Sequence, residues 1–364
     1  AENTQNITLE YSGMNSSVGI KQADVIMMTY PLENELIDQD QAYINMEFYS
    51  MKQVGYGPAM TFPIFSIVAS NLAFTGCASQ SYLHKAIQPF LRGPFAQFAE
   101  QNNDDYLTNG GTHPAFPFLT AHGGFLQAIL QGLTGMRFDY TFDNNKLQRL
   151  LKLDPIALPC LGEGVRFDSI KYDNHTLSMA INETHFTIKN KGKTTPNARN
   201  YVTILLAERN AMHGKYTIND EDKQSFPLFE TSESFPDSIS ECNKAGFFNI
   251  TEGAYGDVSI LINDGDNTTS WQAKYNDTTG KVLVDLKSFR NISSGTFIWG
   301  DKPPKRVKVS KYSGSSFTAV TDFFAQVDFG NELFNEYKYA NPEGKLHNQS
   351  DVFEEVYSGD VKIS

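Results

Sequence analysis

The chain has 364 residues, 40% of them hydrophobic, which is enough to bury a large core and to form two or three domains. Its formal net charge of −12 argues against a nucleic-acid partner, which needs a basic surface, and against binding to an anionic membrane. No stretch reaches the about 20 apolar residues of a transmembrane helix, and no secretory signal stands at the start.

Helices and loops are predicted over the first 135 residues. Residues 58–74 are mostly apolar and predict a helix that is buried on nearly all sides. Residues 79–95 and 118–135 carry apolar side chains close to an i, i+4 pattern, which predicts two more helices. The Gly123–Gly124 pair either breaks the last of these helices or lets another backbone come close.

Near residue 136 the helical period gives way to an alternation of apolar and polar residues with many β-branched side chains. This predicts a small antiparallel β unit with strands at residues 165–172, 176–181, 184–190 and 201–208. Residues 220–238 are polar, acidic and proline-bearing, which predicts a linker. Later strands are predicted at residues 257–264, 281–289, 295–300 and 305–314.

Asn-X-Ser/Thr sequons are unusually frequent. Nine are present, whereas chance would give roughly four. This favours a chain that passed through the secretory pathway and carries surface glycans; the alternative is an Asn-rich cytosolic protein with unused sequons. The sequon asparagines are Asn6, Asn15, Asn174, Asn182, Asn249, Asn267, Asn276, Asn291 and Asn348.

Several familiar chemistries have no motif in the sequence. There is no GxGxxG, Walker loop, GxSxG or CxxC, and the seven histidines include no i, i+4 pair, so neither a cofactor nor a metal is predicted. Three cysteines allow at most one disulfide. The carboxylates, amides and glycine-rich loops that remain suit glycoside chemistry, in which paired carboxylates carry the reaction.

Three stretches in order, IKQADVIMMTYPL, GPAMTFPIFSI and THPAFPFLTAHGGFLQAILQGLTGMR, resemble glycoside hydrolase family 65. The family includes acid trehalases and several disaccharide phosphorylases, and the GPAMT loop is closer to its hydrolases, above all the acid trehalases. The resemblance covers about residues 13–210. It implies the C-terminal part of an (α/α)6 barrel over residues 1–150, followed by a small β-sheet domain over residues 151–222.

The resemblance assigns Lys21 and Gln22 to the hydroxyls of the glucosyl ring at which the bond breaks. An ammonium group only donates hydrogen bonds, whereas an amide both donates and accepts them, and sugar hydroxyls need both. The alternative is that the pair caps a surface helix. His113, His122 and Gly123 are further candidates for lining the sugar pocket, although either histidine is equally compatible with a purely local role in its loop.

Glu100, in the PFAQFAEQNNDD segment, matches the general base of the family's hydrolases. Asp104 and Asp105 lie close enough in sequence to be confused with it. Pro58 and Ala59 stand where the family's phosphate-binding loops carry hydroxyls and amides, which favours hydrolysis over phosphorolysis. Glu47 is a weaker candidate, either half-buried with a raised pKa or purely structural.

The family's general acid has no match in this chain. An inverting glycosidase needs two carboxylates roughly 6.5–9.5 Å apart with water between them. The resemblance therefore implies that the chain is the C-terminal portion of a larger precursor, with the general acid on a separate upstream chain that is its partner.

A second resemblance covers residues 223–364, which is similar to a discoidin or coagulation-factor C-type β-sandwich. In that fold tryptophans usually pack in the core, so Trp271 and Trp299 are interpreted as packing residues more than as sugar platforms. Such modules often bind sugars through their loops. The residues that carry the resemblance are Asp264, Gly265, Trp271, Asp285, Leu286 and Trp299.

The predicted activity is inverting hydrolysis of α,α-trehalose to two glucose molecules, in the vacuole, the periplasm or cell wall, or outside the cell. One alternative keeps the fold and changes the substrate to another α-glucoside, such as kojibiose or a glucosylated hydroxylysine glycan. The other is a non-catalytic glycan-binding protein. The sequence leaves a homo-oligomer open.

Overall fold

The computed structural model describes most of the first 250 residues and shorter pieces beyond them. The described residues are 7–15, 17–72, 76–143, 145–158, 161, 164–229, 238–249, 259–266, 269–273, 277–286, 292, 294–298, 307–312, 317–323 and 350–354. The chain divides into two compact units. The first unit combines Ala1–Gly57 with Phe235–Ser364, and the second unit is Pro58–Ser234.

Helices and small sheets are mixed along the chain. The helices are α1 (Gln39–Lys52), α2 (Thr61–Leu72), α3 (Gly76–Ile87) and α4 (Leu119–Gln127). The strands are β1 (Leu91–Arg92), β2 (Gln97–Phe98), β3 (Arg137–Asp143), β4 (Lys146–Leu153), β5 (Val165–Tyr172), β6 (His175–Ile181), β7 (His185–Lys193), β8 (Tyr201–Leu206), β9 (Gly214–Asn219), β10 (Lys223–Pro227), β11 (Gly246–Asn249), β12 (Val282–Asp285), β13 (Ser294–Ile298), β14 (Val307–Tyr312), β15 (Phe317–Phe323) and β16 (Ser350–Glu354).

In the second unit α2 and α3 pack through serines and aromatic rings. The Ser70 and Ser79 hydroxyls are 2.6 Å apart, and Ser66 Oγ donates to the Ser79 carbonyl at 3.0 Å. The rings of Phe65 and Tyr82 stack with centroids 5.3 Å apart. Small hydroxyl side chains let the two helices approach closely while their buried polar groups stay hydrogen-bonded.

The helix predicted over residues 79–95 is too long. α3 ends at Ile87, and after it β1 and β2 pair as a short antiparallel ribbon. Pro89 and Pro94 lack the N–H that a continuing helix needs. The other two helices of this region are confirmed as α2 and as α4, which continues through a π-helical turn at Ala128–Gly132.

The Gly123–Gly124 pair does not break α4. A Cβ on Gly124 would lie 3.1 Å from the Pro63 ring of α2, whereas a Cβ on Gly123 would have nothing within 4 Å. The second of the two predicted roles is therefore confirmed for Gly124, which lets α2 come close.

Strands β3 to β10 of the second unit form two four-stranded sheets, in the orders β3-β4-β8-β9 and β10-β7-β6-β5. The change of period near residue 136 and the four strands predicted after it are confirmed as β3 and β5 to β8. The prediction that these four strands form one antiparallel unit is wrong for β8, which lies in the other sheet and pairs with β4 in parallel. The linker predicted from residue 220 is wrong over β10, an edge strand that pairs Phe226 with Phe186. Only one face of this edge strand is buried, so most of its residues are polar. For this reason its sequence resembles that of a loop.

In the first unit, residues 7–9 dock on α1. Thr8 N–H donates to Asn45 Oδ1 at 2.9 Å, and Tyr49 Oη donates to the Thr8 carbonyl at 2.8 Å. α1 is not among the individual helices predicted from the sequence. Its signal is Asp38, whose side chain accepts from the Gln41 N–H at 2.8 Å as an N-cap.

The later strands of the first unit form antiparallel pairs, β11 with β12, β13 with β16 and β14 with β15. Three of the predicted strands are confirmed as β12, β13 and β14. The strand predicted at residues 257–264 is wrong, since Ser259–Ile262 is a 3-10 helix. Asn263 Nδ2 fixes this turn by donating to the Ser240 and Cys242 carbonyls.

Some predicted features lie outside the described residues. These are Trp299 and the sequon asparagines Asn6, Asn267, Asn276, Asn291 and Asn348. Within the described part of the chain, no helix combines the length and apolar character needed to cross a membrane.

Candidate active site

Three separate stretches of the second unit meet at Glu100, which follows β2. The Ala59 N–H, from the GPAMT loop, donates to the Glu100 carbonyl at 2.8 Å. The Glu100 N–H donates to the carbonyl of Ala115, from the THPAF stretch, at 2.9 Å. The backbone of Glu100 is therefore fixed on both sides by the two motifs that flank it in the sequence.

The two oxygens of the Glu100 carboxylate have different surroundings. Oε2 accepts the Ala115 N–H at 2.9 Å, while no donor among the described residues bonds to Oε1. The side chain is partly exposed. A carboxylate with one oxygen held and the other open can take a proton from a water molecule, as a general base requires.

The segment that carries Glu100 is anchored by apolar packing of Phe98. The Phe118 N–H donates to the Phe98 carbonyl at 2.7 Å, and the rings of Phe98 and Phe125 lie 6.0 Å apart. This cluster joins β2 to α4 and to the start of α2. Its buried members are Ala59, Phe90, Phe98 and Ala121.

His122 is held by backbone groups through both ring nitrogens. Nδ1 lies 2.8 Å from the Phe118 carbonyl, and Nε2 accepts the Phe98 N–H at 3.5 Å. The ring also packs edge-on against Phe98 at 5.1 Å. This arrangement assigns the proton to Nδ1, and it favours the local role of the two that the sequence left open.

His113 and Gly123 keep accessible faces. The His113 ring is exposed and stacks on Tyr106, with centroids 4.8 Å apart. Gly123 of α4 is exposed, and a Cβ placed there would have nothing within 4 Å. Both remain candidates for lining a sugar pocket.

Asp104 and Asp105 each have partners of their own. Asp104 pairs with Arg92, and the two oxygens of Asp105 accept from the Leu107 N–H at 3.0 Å and the Thr108 hydroxyl at 3.1 Å. The Asp104 carboxylate therefore ties the 101–114 loop to β1, and the Asp105 carboxylate makes its bonds within the loop. Arg92 was missed in the sequence analysis, although it lies just before the PFAQFAE segment.

Lys21 and Gln22 belong to the first unit and are described within it. The Ile20 N–H donates to the Lys52 carbonyl at 2.7 Å, and the Val54 N–H donates to the Ile20 carbonyl at 2.9 Å. A Cβ on Gly57 would lie 3.2 Å from the Lys21 carbonyl, so a glycine favours this approach. The two hydrogen bonds form a parallel β-bridge between Ile20 and Gln53. The side chains of Lys21 and Gln22, which follow the bridge, are exposed.

Glu47 is buried more deeply than predicted, in the middle of α1. Burial, Asp266, Glu47 and Asp264 together raise the pKa of the neighbouring Tyr43. This setting in the first unit favours the structural interpretation of Glu47.

No group of three or more His, Cys, Asp or Glu side chains in the described part of the chain is arranged to hold a metal ion. No protein-family model matches the chain. The chain is 99% identical over all of its 364 residues to the cell wall acid trehalase of Candida albicans. Its close relatives are fungal acid trehalases.

Two further relatives are more distant. The periplasmic or secreted acid trehalase of Candida glabrata is 42% identical over 84% of this chain, which spans 27% of that protein. The kojibiose hydrolase of Mucilaginibacter mallensis is 36% identical over 36% of this chain, or 18% of that protein. The chain spans 34% of the Candida albicans relative, so it matches about a third of the length of these trehalases or less.

Proposed function

We propose that the chain is the C-terminal portion of an acid trehalase and carries the general base of an inverting α,α-trehalose hydrolase. The observation that carries the proposal is the convergence of two family motifs on Glu100, whose Oε1 is open while Oε2 is held. The names of the fungal relatives support the substrate.

In the proposed reaction, Glu100 Oε1 takes a proton from a water molecule as the water oxygen bonds to the anomeric carbon of one glucose. The glycosidic C–O bond breaks, and the leaving oxygen takes a proton from a general acid. We place that acid in the upstream part of the protein, outside this chain. The Ala115 N–H restricts rotation of the Glu100 carboxylate and so keeps Oε1 oriented.

Water is the proposed attacking molecule because the GPAMT loop offers little to a phosphate ion. Pro58 has no N–H, and the N–H of Ala59 already donates to the Glu100 carbonyl. Phosphate sites usually rely on free backbone N–H groups, so these two positions supply none of the usual ligands.

We place Lys21 and Gln22, in the first unit, at the hydroxyls of the glucosyl ring that is cleaved. In the second unit, we propose His113 and Gly123 as residues that contact sugar. The exposed side chains of Lys21, Gln22 and His113 support these assignments. The cation of Lys21 would donate to ring hydroxyls, and the amide of Gln22 would donate and accept.

We place the protein in the secretory pathway, in the vacuole, the periplasm or cell wall, or outside the cell. Cys77 is disulfide-bonded, and disulfides persist mainly in oxidising compartments. Asn15, Asn174 and Asn182 are exposed, and the latter two occupy hairpin turns at the ends of β6, where a glycan would project into solvent.

We infer that the region from residue 223 to residue 364 forms a discoidin-like sandwich, except for β10, which belongs to the β10-β7-β6-β5 sheet. The antiparallel pairs from β11 to β16 support this, as does the fixed turn at Asp264, which accepts the Thr269 hydroxyl at 2.6 Å. Trp271 is half-buried against Gly280, which agrees with a packing role.

The test of the base is Glu100→Gln in the complete, longer protein. Loss of a general base lowers kcat by about 10²–10⁴-fold while the fold is kept. Added azide should restore turnover by replacing the activated water, giving a glucosyl azide of inverted configuration. Glu183→Gln, an exposed carboxylate in the β6–β7 turn, is the matched control and should keep full activity. Normal turnover of Glu100→Gln on trehalose would reject the assignment.

The relative with kojibiose hydrolase activity favours one second candidate, an α-glucosidase with another disaccharide as its substrate. A panel of trehalose, kojibiose and maltose separates the two, because only the first is a non-reducing 1,1-linked pair. Hydrolysis of kojibiose faster than trehalose would favour the second candidate.

A further inference from the structure

Arg92 uses all three guanidinium nitrogens close to Glu100. Nη2 donates to the Gln101 carbonyl at 2.9 Å, Nη1 donates to the Pro89 carbonyl at 2.9 Å, and Nε pairs with Asp104. The side chain is only 24% exposed. Hydrogen bonds from a charged donor are stronger than neutral ones, and the planar fork fixes their directions.

These bonds fix the chain immediately after Glu100. The chain before Glu100 is also paired, since Arg92 faces Gln97 and Leu91 faces Phe98 in the β1–β2 ribbon. Glu100 therefore lies between two anchors that start from the same strand, the ribbon at Phe98 and the Arg92 bond at Gln101. Neither anchor touches the carboxylate itself.

We propose that Arg92 is a positioning residue for the reaction, acting through Glu100. The proposal rests on the assignment of Glu100 as the general base. Arg92 holds the Gln101 peptide, so the Glu100 carboxylate keeps the place from which Oε1 reaches the attacking water. Displacement of a catalytic group by about 1 Å costs on the order of 10²-fold in rate, so a loosened loop should be visible in kcat.

The first experiment compares Arg92→Ala and Arg92→Lys in the complete protein. The Lys ammonium group has one nitrogen where the guanidinium has three, so it reaches only part of the same partners. We expect kcat to fall about 10–100-fold for Arg92→Ala and less for Arg92→Lys, with KM nearly unchanged. Arg149→Ala, at an exposed arginine that pairs with Asp173, is the matched control and should leave kcat unchanged.

The second experiment is a double-mutant cycle with Glu100→Gln, assayed with azide. In that background azide replaces the activated water and no longer depends on the place of residue 100, so Arg92→Ala should lower the azide-rescued rate by less than about twofold. If Arg92→Ala lowers the rate by the same factor in the wild-type and in the Glu100→Gln background, the proposal is overturned, because Arg92 would then not act through Glu100. Unchanged kcat of both Arg92 variants would also overturn it.

Failure of the underlying function gives a different result, since Glu100→Gln alone would then remain active on trehalose without azide. A thermal unfolding curve accompanies each variant. Should Arg92→Ala fail to fold, Arg92→Lys carries the cycle, and its loss of kcat must again disappear in the Glu100→Gln background.

Discussion

Glu100 shows how much of a site depends on backbone groups of other residues. Ala59 and Ala115 carry no functional side chain, yet their N–H groups fix the peptide and the carboxylate of Glu100 at 2.8 and 2.9 Å. The orientation of the proposed general base is consequently determined by loop geometry more than by a pattern of reactive residues.

The proposed role of Lys21 gives a prediction at the same scale. Lys21→Ala in the complete protein should lower kcat/KM for trehalose, because hydroxyl contacts at the cleaved ring act in the transition state as well as in the ground state. A charged hydrogen bond contributes about 1.5–3 kcal/mol, which corresponds to a loss of about 10–150-fold. Steady-state kinetics measures it.

Lys146→Ala is the control for Lys21→Ala, since Lys146 is an exposed lysine at the start of β4. We expect this variant to keep its kcat/KM. An unchanged value for Lys21→Ala as well would return Lys21 to the alternative role of a surface helix cap.

Between α2 and α4, two adjacent glycines have opposite surroundings. Gly124 faces the Pro63 ring of α2 at contact distance, and Gly123 faces open space. The fit of the two helices beneath Glu100 therefore depends on one of the glycines. The same helices pack against the buried cluster that contains Phe98. A larger distance between the helices would therefore also disturb the packing of the Glu100 segment.

The matched pair Gly124→Ala and Gly123→Ala tests this packing. Gly124→Ala adds a methyl group 3.1 Å from Pro63 and should destabilise the protein by about 1–3 kcal/mol through overpacking. Gly123→Ala should stabilise α4 by about 0.5–1 kcal/mol, because alanine is the better helix former. Thermal unfolding distinguishes them, and equal melting temperatures would contradict the close contact. A raised KM for Gly123→Ala would support its place in the sugar pocket.

At the scale of the whole molecule, the second unit exposes several large apolar side chains. Leu119 and Leu126 of α4 are 76% and 65% exposed, and on β3 Phe138 and Phe142 are 65% and 74% exposed. Apolar faces of this kind in a soluble protein usually mark a surface that a partner covers. The relatives are about three times as long as this chain, which supports the upstream part of the protein as that partner.

Expression of the chain by itself should therefore give insoluble or inactive protein, and co-expression with the upstream part should restore trehalase activity. Burial of apolar surface contributes about 25 cal/mol per Å², so two chains could remain associated after cleavage without a covalent link. The double variant Leu119→Ser/Leu126→Ser should raise the soluble yield of the isolated chain and lower the melting temperature of the complete protein. Trehalase activity from the isolated chain would mean that both catalytic carboxylates lie within it.

The amino-acid sequence determined the local elements. The four strands of the β unit and α2 were predicted within a few residues, because alternation and helical period depend only on neighbouring positions. Tertiary structure decided what local patterns do not contain. Arg92 and Ala115 act on the Glu100 segment through hydrogen bonds that cross 9 and 15 positions. β10 was not predicted because it is defined by its pairing with β7, in which Phe226 lies opposite Phe186. Such contacts exist only once the chain has folded, which is why the sequence could predict Glu100 as the general base, whereas only the structure showed what holds this residue.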